Sequence, residues 1–346
     1  MGKATGVELK AAIKKAAVWG TAVACGANNG ILILPSDIKK DRPSLVDDSL
    51  GLYFPQDADQ GEIKAAGSRR LYLRYDSLDL LFALVMGATG GAPTQQGATT
   101  AYAQKFTQAA SLDSIFATLA LYNQINVEEC TSVKVTGVTI KGQIGGVVEV
   151  TFDIIANDKI TGSAVNTSGT FANVTFFESA NRVLYSQGVF RMNAQAGAGL
   201  GVGDVIYPKS FELSFKRKMS GVYGSGGSFN NIDEPSNDGL PEVKLKIEFP
   251  RYTAATYFTD WDANNAKKMD ITFTGGLIAT TYYRTFKLSM PNLKYANVDL
   301  PIVQGIMTHP LEFIALGCSA APTGMTGITN PFQIDVINRQ VTDVLA

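Results

Sequence analysis

A single histidine, His309, stands in 346 residues, and that scarcity excludes more chemistry than any residue present. It rules out most metal sites and any Ser-His-Asp arrangement built elsewhere. His309 precedes Pro310 at the edge of an expected strand, a place for a structural or surface role. Cysteine is nearly as scarce. Cys25, Cys130 and Cys318 are far apart, odd in number and outside any Cys-x-x-Cys, so no disulfide framework is expected and a reducing cytoplasm fits. Charged residues make up 18% of the chain, below the usual quarter, and 30 basic side chains nearly balance 31 acidic ones. No block of like charge occurs, so neither a nucleic-acid-binding face nor an acidic tail is signalled. No run approaches the ~20 apolar residues of a membrane helix. The lysines at 3, 10, 14 and 15 followed by Ala16–Cys25 mimic a secretory leader only faintly. The apolar run is short, Gly20 and Thr21 break it, and Glu8 lies among the lysines.

What is present is a β-rich chain long enough for about two domains. Hydrophobic residues reach 45%, enough to bury a core. Low charge together with 34 glycines suggests a surface much covered by other protein. The organising stretch is Val133–Ala156, two β-rich runs around Gly142–Gly146. Val148, Val150, Phe152 and Ile154 alternate with Glu149, Thr151 and Asp153, which predicts a hairpin with one buried and one wet face. A second hairpin is expected from Phe286–Lys294 and Gly305–Ala315.

Residues 1–27 read as an arm, with a short helix over Val7–Ala17 and Trp19 as an anchor on a neighbouring subunit or on its own domain. Residues 28–157 form the first domain, 158–169 a linker, 170–317 the second domain and 318–346 a tail. The clearest helix follows Asp76, placed to cap its N-terminus, with Gly87 as its stop. Strands are expected at Thr170–Phe177, Leu184–Asn193, Phe211–Lys216, Glu242–Phe249, Met269–Thr274 and Phe332–Ile337, and a second helix near Thr253–Trp261. The Gly- and Asn-rich loop between Met219 and Leu240 is of a length that usually carries function. The two halves share one element order, and Val133-Lys-Val-Thr136 is matched to Phe286-Lys-Leu-Ser289, which points to a duplication. A duplicated chain imitates two subunits of a ring.

Catalytic chemistry does not assemble. The glycines at 197, 199, 201 and 203 miss a G-x-G-x-x-G, because Val202 and Asp204 stand where a glycine is needed. The carboxylate pairs Asp47/Asp48 and Glu149/Asp153 read as solvated acids. No enzyme activity, cofactor or metal is expected.

The chain resembles the major tail-tube proteins of long-tailed bacteriophages, in their double-domain form. The resemblance rests on the arm around Trp19-Gly20-Thr21, on Arg74–Leu81 with Met86-Gly87, and on the Val133–Ala156 hairpin. It continues through Gly188–Asn193, Glu242–Tyr252, Lys267–Gly275 and Phe286–Leu293. It implies a mainly β fold of two tandem sandwich or barrel domains, each with a flanking α-helix. It also implies trimeric, pseudo-six-fold rings that stack into the tube through which DNA reaches the host. Glu149, Thr151, Asp153, Lys287 and Ser289 would then line the lumen. Trp19, Tyr223, Phe229, Asn230, Ile232 and Phe332 would join ring to ring. The expected partners are further copies of the chain, the tape-measure protein, and tail terminator and baseplate proteins. DNA would pass without specific binding and no membrane would be involved. The protein would be assembled in the host cytoplasm and reside in the virion tail. The alternative expectation is another β-rich structural or binding module, such as a capsid decoration, a pilus-like subunit or a carbohydrate-binding protein.

Overall fold

Alternation decides the fold. From Glu149 to Ala156 every second side chain is buried and the others are half-exposed, the signature of a strand with one face on a core. The structure, a computed structural model, describes residues 6–49, 53–54, 57–224 and 231–346. It is mainly β, and among the described residues its strand pairings form no closed barrel.

In chain order the first half contains β1 (Lys10–Lys15), β2 (Gly30–Ile31), β3 (Ile38–Asp41), the short β4 (Ser44–Val46) and β5 (Ala58–Gln60), and β6 (Lys64–Tyr72). Then come α1 (Asp79–Met86), β7 (Gly87–Ala88), β8 (Thr94–Gln95), β9 (Tyr102–Gln108), β10 (Ala117–Tyr122), β11 (Val127–Gln143) and β12 (Glu149–Ala156). β13 (Lys159–Thr161) and α2 (Ser168–Ala172) lead to the second half. It contains β14 (Gly188–Ala194), β15 (Val205–Ile206), β16 (Ser210–Lys216), the short β17 (Met219–Ser220) and β18 (Ser236–Asn237), and β19 (Glu242–Phe249). α3 (Thr256–Asp262), β20 (Lys267–Ala279), β21 (Tyr282–Val298), β22 (Ile302–Val303), β23 (Ile306–Met307) and β24 (His309–Ala315) follow, and β25 (Gln333–Asn338) is the last strand.

The pairings of the first half recur in the second. β1 pairs β2 and β10, as β14 pairs β15 and β20. β3–β6–β12–β11 is answered by β16–β19–β24–β21. Even an irregularity repeats. The β11–β12 ladder slips between Val135 and Gly137, and the β21–β24 ladder slips between Tyr295 and Asn297. Val133, which pairs both Ala117 and Ala156, therefore corresponds to Leu293, which pairs both Lys267 and Ala315. The match of Val133 to Phe286 made on sequence is out of register by 293 − 286 = 7 residues. A period of two makes strand patterns alike at many offsets, and the bulge fixes the right one.

One core serves both halves. α1 is buried on nearly every side, and Phe82 touches Phe152 of the first half, Phe286 of the second, and Phe106. Gly87 ends this helix in the left-handed region, at φ 94°, and its N–H donates to the Ala83 carbonyl. Leu78 occupies the N-cap without a side-chain bond. Asp76 is not the cap. It is fully buried, and Arg284 of β21 donates to it at 2.8 Å, so the carboxylate ties the halves together instead. The segment expected as a helix at Val7–Ala17 is a 3-10 turn and the strand β1, whose Ala11, Ala12 and Ile13 are all buried between β2 and β10. Cover on both faces removes the alternation that marks a half-exposed strand. The strand expected at Thr170–Phe177 is replaced by α2, capped by the Thr167 hydroxyl, which accepts from the Thr170 N–H. β25 is no loose tail. It lies between β21 and β9 and joins second half to first.

Candidate functional site

Eight antiparallel strands run side by side as β3–β6–β12–β11–β16–β19–β24–β21. Their inner face is apolar and buried, with Phe152, Val138, Phe215, Leu245 and Phe313 among its side chains. The other face is wet and charged in rows across the strands. Register puts Glu149, Lys141, Glu212, Lys246 and Glu312 in one such row, acid and base alternating from strand to strand. Lys141 lies 3.5 Å and Arg70 3.2 Å from Glu149, and Lys246 lies 2.7 Å from Glu312. The Glu312 carboxylate beside it holds the Lys246 ammonium above its usual range. The row lines a shallow trough of about 570 Å³. Opposite charges on neighbouring strands stabilise a sheet modestly and cancel its field.

The ends of this sheet are open. Among the described residues, β3 pairs with β6 alone, and β21 beyond Leu293 pairs with β24 alone. Between them the chain contains its own example of a closed seam, the β11–β16 ladder from Gly137 opposite Lys216 to Gln143 opposite Ser210. There the end strand of one four-stranded row, β11, meets the end strand of the next, β16.

A buried ion pair locks that seam. Lys134 on β11 is fully buried, and its ammonium donates to Glu234 at 2.7 Å and to the Pro235 carbonyl at 2.8 Å. Glu234 belongs to the long loop between β16 and β19. The Ser114 N–H donates to the same carboxylate, and Trp19 Nε1 and Asn157 Nδ2 both donate to the Ile232 carbonyl. Gly221 is needed here, because a Cβ on it would lie 2.0 Å from the Ile232 side chain. The second half thus lays its loop on the first half and pins it.

Of the residues expected to line a lumen, Glu149, Thr151 and Asp153 lie together on the wet face of the eight strands. Lys287 and Ser289 do not. They sit on the part of β21 between β20 and β25, where Lys287 pairs Asp270 at 3.2 Å and Ser289 is buried. The register error explains the misplacement, since Lys287 and Ser289 were matched to Lys134 and Thr136, whose counterparts in the register fixed by the bulge are Lys294 and Ala296. Lys141, Glu212, Lys244 and Lys246 share the wet face without having been singled out, although the alternation of Phe211–Lys216 and Glu242–Phe249 carried the signal for the last three.

Of the residues expected between rings, Trp19 is half-buried against Phe116 and Ile232 is buried in the pinned loop. Tyr223 is half-exposed and donates to the Ile63 carbonyl at 2.8 Å. Phe332 is fully buried against Phe215 and has no surface to offer a neighbour. Phe229 and Asn230 lie outside the described residues.

No metal-binding cluster of His, Cys, Asp or Glu occurs among the described residues, and none of their helices is long and apolar enough to cross a membrane. His309 is buried against Phe249, Tyr252 and Tyr257, and burial lowers its pKa. Cys25 and Cys130 are buried free thiols, each pushed up to about 12 by burial. A family model described as phage tail tube protein matches residues 6–332. No curated protein matches the chain.

Proposed function

The chain belongs to the phage tail tube protein family, and we propose that three copies close edge to edge into a ring, which stacks into the tube that conducts DNA. Membership makes it a structural component of the virion tail that assembles with itself and with other tail proteins. The trimer, the lumen and the tape-measure protein inside it are the finer reading, supported as follows.

The observation that carries this reading is the β11–β16 seam. It joins two repeats within one chain, and among the described residues the same two edges have no strand partner at the ends, on β21 and β3. A free edge invites pairing, and closure into a ring removes it. By the internal correspondence, Gly137 opposite Lys216 becomes Asn297 opposite Asp41 of the next copy. Two residues on, Asp299 then faces Lys39, an opposite-charge pair of exposed side chains. Six repeats from three chains give 3 × 8 = 24 strands around the wall. With strands about 4.8 Å apart and tilted 35–45°, the wall is roughly 45–50 Å across between backbones, a bore that admits duplex DNA.

The wet face would be the lumen. Its alternating charges leave little net field, so phosphates are not held by counterion release as they pass. Burial of edges and loops over thousands of Å² between copies makes such a ring long-lived. Electron microscopy of purified protein tests the reading. Rings or tubes with three-fold symmetry are expected. A monodisperse monomer at high concentration, with or without other tail components, would overturn it.

A further inference from the structure

We infer that the loop between β3 and β6 of each copy docks on the next copy around Lys294, repeating across the subunit seam the clamp that Lys134 and Glu234 form within the chain. The inference rests on the proposed ring.

Lys294 is the counterpart of Lys134, one residue after the corresponding Leu293 and Val133. The surroundings correspond as well. Lys134 lies opposite Ile155 and Lys294 opposite Ile314. Ser114 and Asn264, each three residues before β10 or β20, both have positive φ, at 62° and 52°. The difference is cover. Lys134 is fully buried under the loop of the second half. Lys294 is half-exposed and, among the described residues, its ammonium donates only to the Asn264 carbonyl at the surface, and Ile314 opposite it is 39% exposed.

The loop that would cover it also exists. The β3–β6 loop corresponds to the β16–β19 loop, and each has a short paired stem, β4–β5 and β17–β18. In the docked loop Ile232 lies four residues before β18 and is buried, and Glu234 lies two before it. In the other loop Phe54 lies four residues before β5 and is 76% exposed, and the carboxylate of Asp57 comes directly before that strand. One loop therefore has its apolar side chain and its acid in place. The other presents both to solvent, while the matching lysine site stands uncovered at the opposite end of the same sheet. Ring closure brings the two together, because the neighbour's β3 arrives on the edge of β21. Phe54 would cover Ile314, and Asp57 would meet Lys294.

The test is a charge swap read by ring assembly, with far-ultraviolet circular dichroism confirming that each monomer folds. Lys294→Glu places two acids face to face and is expected to raise the concentration needed for rings by about tenfold or more. Adding Asp57→Lys in the same chain is expected to restore assembly. Unimpaired rings from Lys294→Glu, or no recovery in the double variant, would overturn the docking site while the unaltered protein's rings leave the ring itself standing. An unaltered protein that forms no rings would overturn both.

Discussion

The Lys134–Glu234 pair allows a prediction with a sign that simple contact counting would miss. Lys134 has no exposed surface, whereas the Glu234 side chain keeps 28% of its own. Glu234→Gln leaves an ammonium buried without its counter-charge, with the Pro235 carbonyl and a neutral amide as its remaining acceptors. Removing one partner of a buried pair costs about 3–5 kcal/mol. Lys134→Met removes the buried charge, keeps the volume of the side chain and leaves Glu234 with the Ser114 N–H and access to water. Its cost is the lost bond to Pro235 and the pair itself, about 1–2 kcal/mol. Urea unfolding of both variants measures the difference, and limited proteolysis within 218–240 reports whether the loop has lifted. Glu234→Gln should have the lower midpoint and the faster cleavage. If Lys134→Met costs as much or more, burial of an uncompensated charge is not what holds this loop.

Three further outcomes follow from the same geometry. Asp79 in α1 is buried, accepts from the Asn338 amide at 2.8 Å, and is raised to about 7 chiefly by burial. Its folded pKa exceeds the unfolded one, so its contribution is full below pH 4, declines as pH climbs to about 7, and changes no further above that. Asp79→Asn should flatten that decline, worth at most about 4 kcal/mol, in thermal unfolding scanned from pH 4 to 8. A Cβ on Gly67 would lie 2.2 Å from the Asp37 carbonyl oxygen, so Gly67→Ala should push β3 off β6. The monomer should stay folded, lose hydrogen-exchange protection at 38–41 and fail to close rings; unchanged protection would refute the edge assignment. Changing Glu149 and Asp153 together to Lys should permit assembly but slow DNA ejection at low salt, because a basic wall retains phosphates. Unaltered ejection would mean that this face does not line the passage.

Much of the fold was legible because its strands are half-buried. The hairpin around Gly142–Gly146, the alternation of β16, β19 and β20, and the Gly87 stop all write burial directly into residue order. β1 was not legible, because its buried residues Ala11, Ala12 and Ile13 are consecutive and its pattern has no period. β9 was not picked out, since it is placed by pairing with β25, more than 200 residues away in the chain. The lumen candidates divide for a related reason. A strand pattern gives the face of a residue but not its register, so Glu149, Thr151 and Asp153 share one wet face, while Lys287 and Ser289, matched to Lys134 and Thr136 in the wrong register, lie between β20 and β25. Lys134 reads in sequence as one more wet-face lysine between two valines. Only the arrival of Glu234 from the other half turns it into a buried clamp.

The most direct measurement joins the two edges covalently. Asn297→Cys and Asp41→Cys in one chain, with Cys318→Ser removing the half-exposed thiol, should sit opposite each other across the seam between copies. Opposed residues of an antiparallel ladder have Cα atoms about 4.5–5.5 Å apart, within the range of a disulfide. Oxidised assemblies should run on a non-reducing gel as a ladder that stops at three chains. No cross-link in intact tubes, or a ladder that continues past three, would contradict the closed three-chain wall.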